Sequence, residues 1–74
     1  MELGDKLKRL RKEHNYSQQG LAEMLYVTAQ AVSKWENNKS VPDIITLVKL
    51  GDIYDINLDY LIKSDTQLQN KLTI

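Results

Sequence analysis

The apolar residues of this chain recur every three or four positions and almost never alternate. That spacing gathers them on one side of a helix and gives a strand no face to bury. Leu3, Leu7 and Leu10 form one stripe, and Leu21, Ala22, Met24 and Leu25 a second. Ala31, Val32 and Trp35 form a third. Ile44, Leu47, Val48, Leu50 and Ile53 form a fourth, and Leu58, Leu61 and Ile62 a fifth. Ser17, Thr28, Asp43 and Asn57 stand in front of the last four, and each has a side-chain oxygen that can accept a first-turn N–H. Asn15 and the pair Asn37-Asn38 stand where the first and third helices end, because asparagine tolerates the left-handed conformation that closes helices. The expected fold is all-α, with five short helices in one domain over residues 1–63. The tail, residues 64–74, is polar except for Leu68, Leu72 and Ile74. A frayed end, a dimer element and a linker to a further domain would each produce that pattern.

Composition narrows the function. At 74 residues one domain is expected, and the chain has no cysteine, so neither a disulfide nor a thiolate metal site is available. No apolar run approaches the roughly 20 residues of a membrane span. The mixed charges of MELGDKLKRL exclude a signal peptide, so a cytoplasmic protein is expected. Net charge is zero, which argues against a polybasic coat for nucleic acid. The distribution is uneven, however. Residues 1–39 hold seven basic against five acidic side chains, and residues 40–74 hold three against five. The first half is the one suited to face a polyanion. No nucleophile-base pair, metal cluster or glycine-rich phosphate loop is present, so neither an enzyme nor a cofactor is expected. His14 has no second histidine or cysteine to share a metal and reads as a surface or capping side chain.

The informative stretch is VTAQAVSKWEN, residues 27–37. At about 100° per residue, Gln30, Ser33, Lys34 and Asn37 fall opposite Val32, with no acid among them. A solvated face would satisfy that pattern. So would a face that reads base edges: Gln pairs bidentately with adenine, Lys donates to guanine or phosphate, and Ser is versatile. Ala29, at the helix start, could touch a thymine methyl. Only a short link around Tyr26-Val27 separates this helix from the one before it, which forces a steep, close crossing. Such a crossing needs a small inner residue, Ala22, and apolar residues at the elbow, Val27, Val32 and Trp35.

SQQGLAEMLYVTAQAVSKWENNKSVPDIITLVKL and the downstream LDYLIKSD resemble the helix-turn-helix of phage repressors and Cro, the xenobiotic-response-element type. The likeness covers about residues 3–63. It implies a five-helix, lambda-repressor-like domain with the helix-turn-helix at helices two and three. It also implies a transcriptional regulator, most simply a repressor, that reads the major groove of double-stranded DNA with helix three. By position it implies backbone contacts from Gln18, Gln19, Thr28, Asn37 and Lys39, and a pair between Arg11 and Glu36. A homodimer on a two-fold symmetric operator is the expected assembly. Its self-contact is expected through Leu58, Leu61 and Ile62, on a short helix that a small core need not cover completely. The alternative is a protein-interaction module on the same fold, antitoxin-like or anti-repressor-like, with weak DNA binding. Many members of that family have glycine where this chain has Asn15, Tyr26 and Asn38. Tyrosine adopts a positive φ only at a cost of roughly 1 kcal/mol or more. A capping-box Glu or Gln is common where Gly20 stands, so helix two lacks that reciprocal bond.

Overall fold

Four of the five helices start on a side chain that accepts a backbone N–H. Ser17 Oγ accepts from Gly20 at 2.9 Å, Thr28 Oγ1 from Ala31 at 3.1 Å, Asp43 Oδ1 from Thr46 at 2.8 Å and Asn57 Oδ1 from Tyr60 at 2.8 Å. These are the four caps expected from the sequence. Hydrogen bonds from the Thr46 side chain and backbone also hold the Asp43 carboxyl below the usual carboxylate range. The computed structural model describes residues 2–63. The helices are α1 (Leu3–Glu13), α2 (Gln18–Leu25), α3 (Ala29–Glu36), α4 (Ile44–Tyr54) and α5 (Leu58–Ile62). No strand is present among the described residues. Leu68, Leu72 and Ile74 lie outside them.

The stripes converge on one core: Leu3, Leu7, Leu10, Leu21, Ala22, Leu25, Val32, Trp35, Leu47, Leu50, Tyr54 and Leu61. Ala22 and Val32 are completely buried where α2 crosses α3, as the close-crossing argument requires. The Val27 N–H reaches back to the Ala22 carbonyl at 3.0 Å and closes the elbow. Trp35 belongs to the core. His14 caps α1, its Nδ1 2.9 Å from the Leu10 carbonyl, and its ring packs 4.8 Å from that of Tyr54. Burial pushes the Tyr54 hydroxyl up to about 12.

Expectations about burial fail in two places. Met24, Ile44 and Val48, expected to face inward, are exposed. The buried side of α4 is Leu47, Leu50, Gly51 and Tyr54, an i, i+3, i+4, i+7 set centred away from Ile44 and Val48. Aliphatic residues surround most of α4, so their positions alone do not choose its inner side. Gly51 chooses it: a Cβ there would lie 2.8 Å from the Ile56 carbonyl oxygen, so the α4–α5 connection packs against bare backbone. In the opposite sense, Leu61, expected on a surface for a second copy, lies in the core, and Leu58 and Ile62 are half-buried. Leu61 is 0% exposed, and Leu58 and Ile62 pack against the core. Lys6 and Arg9 help to close this side. The Lys6 ammonium sits 3.7 Å from the Tyr60 ring centroid, and Arg9 Nη2 donates to the Tyr60 hydroxyl at 3.1 Å.

Asn15, Tyr26 and Asn38 all have positive φ, at 61°, 58° and 59°. Tyr26 therefore takes the strained conformation in the elbow, and the residue is 90% exposed. The ring makes only a long approach to Lys49, 5.9 Å from ammonium to centroid, so little offsets the strain. Tyr26→Gly should stabilise the domain by about 0.5–1 kcal/mol, a rise of several degrees in Tm. Thermal unfolding followed by circular dichroism checks this, and an unchanged or lower Tm would show that the tyrosine has compensating contacts.

Candidate nucleic-acid interface

The starts of α2 and α3 and the residues just past α3 carry most of the nine candidate contacts. Gln18 is the first residue of α2 and Thr28 is the N-cap of α3. Thr28, Gln30, Lys34, Asn37, Lys39 and Gln19 are exposed, and Gln18, Ala29 and Ser33 are half-buried. Ala29 leans against the core as well.

Their hydrogen bonding separates them into two groups. Gln30, Lys34 and Lys39 have no side-chain partner among the described residues. The other polar candidates are partly engaged within the protein. Asn37 Nδ2 donates back to the Ser33 carbonyl at 2.9 Å and to its hydroxyl at 3.3 Å. Gln19 Nε2 donates to Glu23 at 3.3 Å, and Thr28 is occupied as a cap. Gln18 Nε2 donates to Glu36 Oε1 at 3.1 Å. Each engaged glutamine amide keeps a second N–H, so these bonds orient the groups without exhausting them.

Glu36 is the acid in α3, and its charge is taken inward. Arg11 Nε lies 2.7 Å from Glu36 Oε2 and Arg11 Nη2 3.1 Å from Oε1, a bidentate pair. The side chains are 11% and 3% exposed. Arg11 Nη1 also donates to the Tyr16 carbonyl at 2.8 Å. The hydrogen bond to Glu36 raises the guanidinium's pKa, against the lowering effect of burial. One carboxylate thus ties the end of α1, the start of α2 and the end of α3 together. It brings Gln18 beside the segment that holds Asn37 and Lys39. The exposed side of α3 is left with amides, a hydroxyl and one ammonium.

Sequence reasoning misses the Gln18–Glu36 bond and a second tie at the other end of α1. The Gly4 N–H donates to Asn38 Oδ1 at 2.9 Å, across 34 positions of sequence. The asparagine in place of the family's glycine is the available signal, although a linear reading finds in it only a backbone accommodation.

The sequence pattern of the helix-turn-helix family matches residues 7–61. An uncharacterised SPbeta prophage-derived transcriptional regulator, YonR, of Bacillus subtilis strain 168, is 42% identical over 60 residues. The match takes in 81% of this chain and 56% of that protein. The chain spans between 16% and 61% of the length of the curated relatives it matches. Among solved structures, the P22 c2 repressor in complex with a synthetic operator superposes with a TM-score of 0.81. It is 29% identical, and the match covers 88% of this chain and 98% of that one. SinR, a master regulator of biofilm formation solved in complex with DNA, gives a TM-score of 0.71 at 33% identity, covering 80% and 95%.

Proposed function

The chain belongs to the helix-turn-helix family, and on that premise we propose that it is a sequence-specific, double-stranded-DNA-binding regulator of transcription, acting as a repressor. One observation carries this reading: α3 exposes Gln30 and Lys34 without partners while its acid, Glu36, is buried and neutralised by Arg11. A merely solvated helix face has no need to hide its carboxylate. The positive ends of the α2 and α3 dipoles and the exposed ammoniums of Lys34 and Lys39 favour phosphate on the same side. The repressor and SinR complexes with DNA support the assignment by likeness of fold and sequence.

Gln30 and Lys34 read base edges, with Ser33 between them and Ala29 at the thymine methyl. Gln18, Gln19, Thr28, Asn37 and Lys39 hold the phosphates. The working unit is the domain that ends near Lys63. It binds and does not catalyse. No helix among the described residues is long and apolar enough to cross a membrane, and a regulator of this kind works in the cytoplasm.

Selection from random duplex DNA would supply the operator for the test. Gln30→Ala should then relax preference at one base pair, costing about 1–3 kcal/mol there. Lys39→Ala should weaken all sequences alike and make the slope of log affinity against log salt shallower by about one unit. Equal weakening of every sequence by Gln30→Ala would remove it from direct readout. Affinity that ignores salt throughout would remove phosphate binding and favour the protein-interaction module.

A further inference from the structure

The segment that follows α3 is pinned to the first turn of α1 by an asparagine side chain. Gly4 lies in the first turn of α1, where backbone N–H groups have no partner within the helix. Asn38 Oδ1 accepts that N–H at 2.9 Å. The fit excludes a side chain at position 4: a Cβ there would stand 2.3 Å from the Trp35 carbonyl oxygen and 2.5 Å from Asn38 Oδ1. Asn38 itself is left-handed, with φ 59°. Its N–H bonds to the Trp35 carbonyl at 3.1 Å and the next N–H, of Lys39, to the Lys34 carbonyl at 2.9 Å. A glycine at 38 would allow the same backbone turn more cheaply. What asparagine adds is the acceptor that fixes the turn to another helix.

We infer that Asn38 is a positioning residue for Lys39. The amide, latched to α1, fixes the direction in which the chain leaves α3 and hence where the Lys39 ammonium meets the phosphate. The inference rests on the proposal that Lys39 holds a phosphate. Lys39 is exposed and has no side-chain partner among the described residues, so it is the backbone beneath it that limits where its flexible side chain can reach. Order established before binding need not be established at the expense of affinity.

The test is a double-mutant cycle in DNA binding. The full chain and the variants Asn38→Gly, Lys39→Ala and the pair are titrated with one fixed mixed-sequence duplex over a salt series. Asn38→Gly keeps the left-handed turn accessible, and thermal unfolding confirms that the variant is folded. It should lower affinity several-fold and make the salt slope shallower, by at most the roughly one unit that Lys39→Ala removes. In the Lys39→Ala background it should do neither. Asn38→Gly with unchanged affinity and slope, or with an equal loss in both backgrounds, overturns the inference while the Lys39 contact stands. An unchanged slope in Lys39→Ala alone overturns the Lys39 assignment, and the positioning role falls with it.

Discussion

Arg11→Met should destabilise the domain by about 3–5 kcal/mol, because it leaves the Glu36 carboxylate buried without its partner. The whole stability of a chain this size is roughly 4–11 kcal/mol, so the variant should be close to unfolding at ordinary temperatures. The geometry sets the magnitude. The pair is bidentate, at 2.7 and 3.1 Å, and both residues are buried. The exposed i, i+4 pair Arg9–Glu13, at 3.3 Å, offers the contrast, since such pairs contribute less than about 1 kcal/mol. Urea unfolding of Arg11→Met, Glu36→Leu and the double variant closes the cycle. The double variant should recover much of the loss, since an apolar pair of similar volume replaces a buried ion pair at little net cost. Coupling near zero would mean that water screens the pair. The recovered fold should still bind DNA less well than the natural chain. Gln18 Nε2 donates to Glu36 Oε1, and once Glu36→Leu removes that carboxylate nothing holds the amide at the start of α2.

How much of this is legible in the sequence depends on the scale of the interaction. The four caps are local, each a side chain acting three residues ahead, and a linear reading finds them. The α2–α3 crossing is almost as local, since a three-residue link and Ala22 leave little choice. The Arg11–Glu36 pair spans 25 positions, and family likeness points to it where spacing alone does not. Only the asparagine at position 38, which reads as a backbone accommodation, hints at the bond between Gly4 and Asn38. A backbone N–H leaves no mark in a sequence, and a glycine in a first helical turn reads as a weak helix former. The wrong inner side of α4 has the opposite cause. The helix has aliphatic residues nearly all round, so the pattern holds too much hydrophobicity to choose a face, and the close approach of the Ile56 carbonyl to Gly51 decides it. Of the nine candidate contacts, Ala29, Gln30, Ser33 and Lys34 are proposed from the chemistry of one helix face and the other five from family position. Which of them are already committed to partners within the protein is not legible in the sequence.

Two protomers should occupy one two-fold symmetric operator, and Ile45→Lys should cost about a hundredfold in affinity for it without unfolding the protein. One recognition helix covers too few base pairs for strong discrimination in a genome. Two copies related by two-fold symmetry set their recognition helices in successive major grooves about 34 Å apart. The contact between copies does not run through Leu61, whose burial in the core means that a charge there would unfold the domain. The surface expected to carry it instead is the exposed aliphatic strip of Val41, Ile44, Ile45 and Val48, four large apolar side chains within eight residues. Exposed apolar clusters on small proteins mark interaction surfaces. The strip begins two residues past Lys39 and continues along α4, so it adjoins the segment assigned to phosphate. In a two-fold contact each substitution counts twice, once per copy. At about 1.5 kcal/mol or more for each side chain, the loss is about 3 kcal/mol, or two orders of magnitude. Because Ile45 is 64% exposed in the single chain, lysine there should leave thermal stability nearly unchanged and affinity for an isolated half-site intact. Stoichiometry on the selected operator, measured by sedimentation of the complex, reads out the assembly. A single protomer bound tightly to a non-palindromic site, with Ile45→Lys binding as the natural chain does, would rule the dimer out.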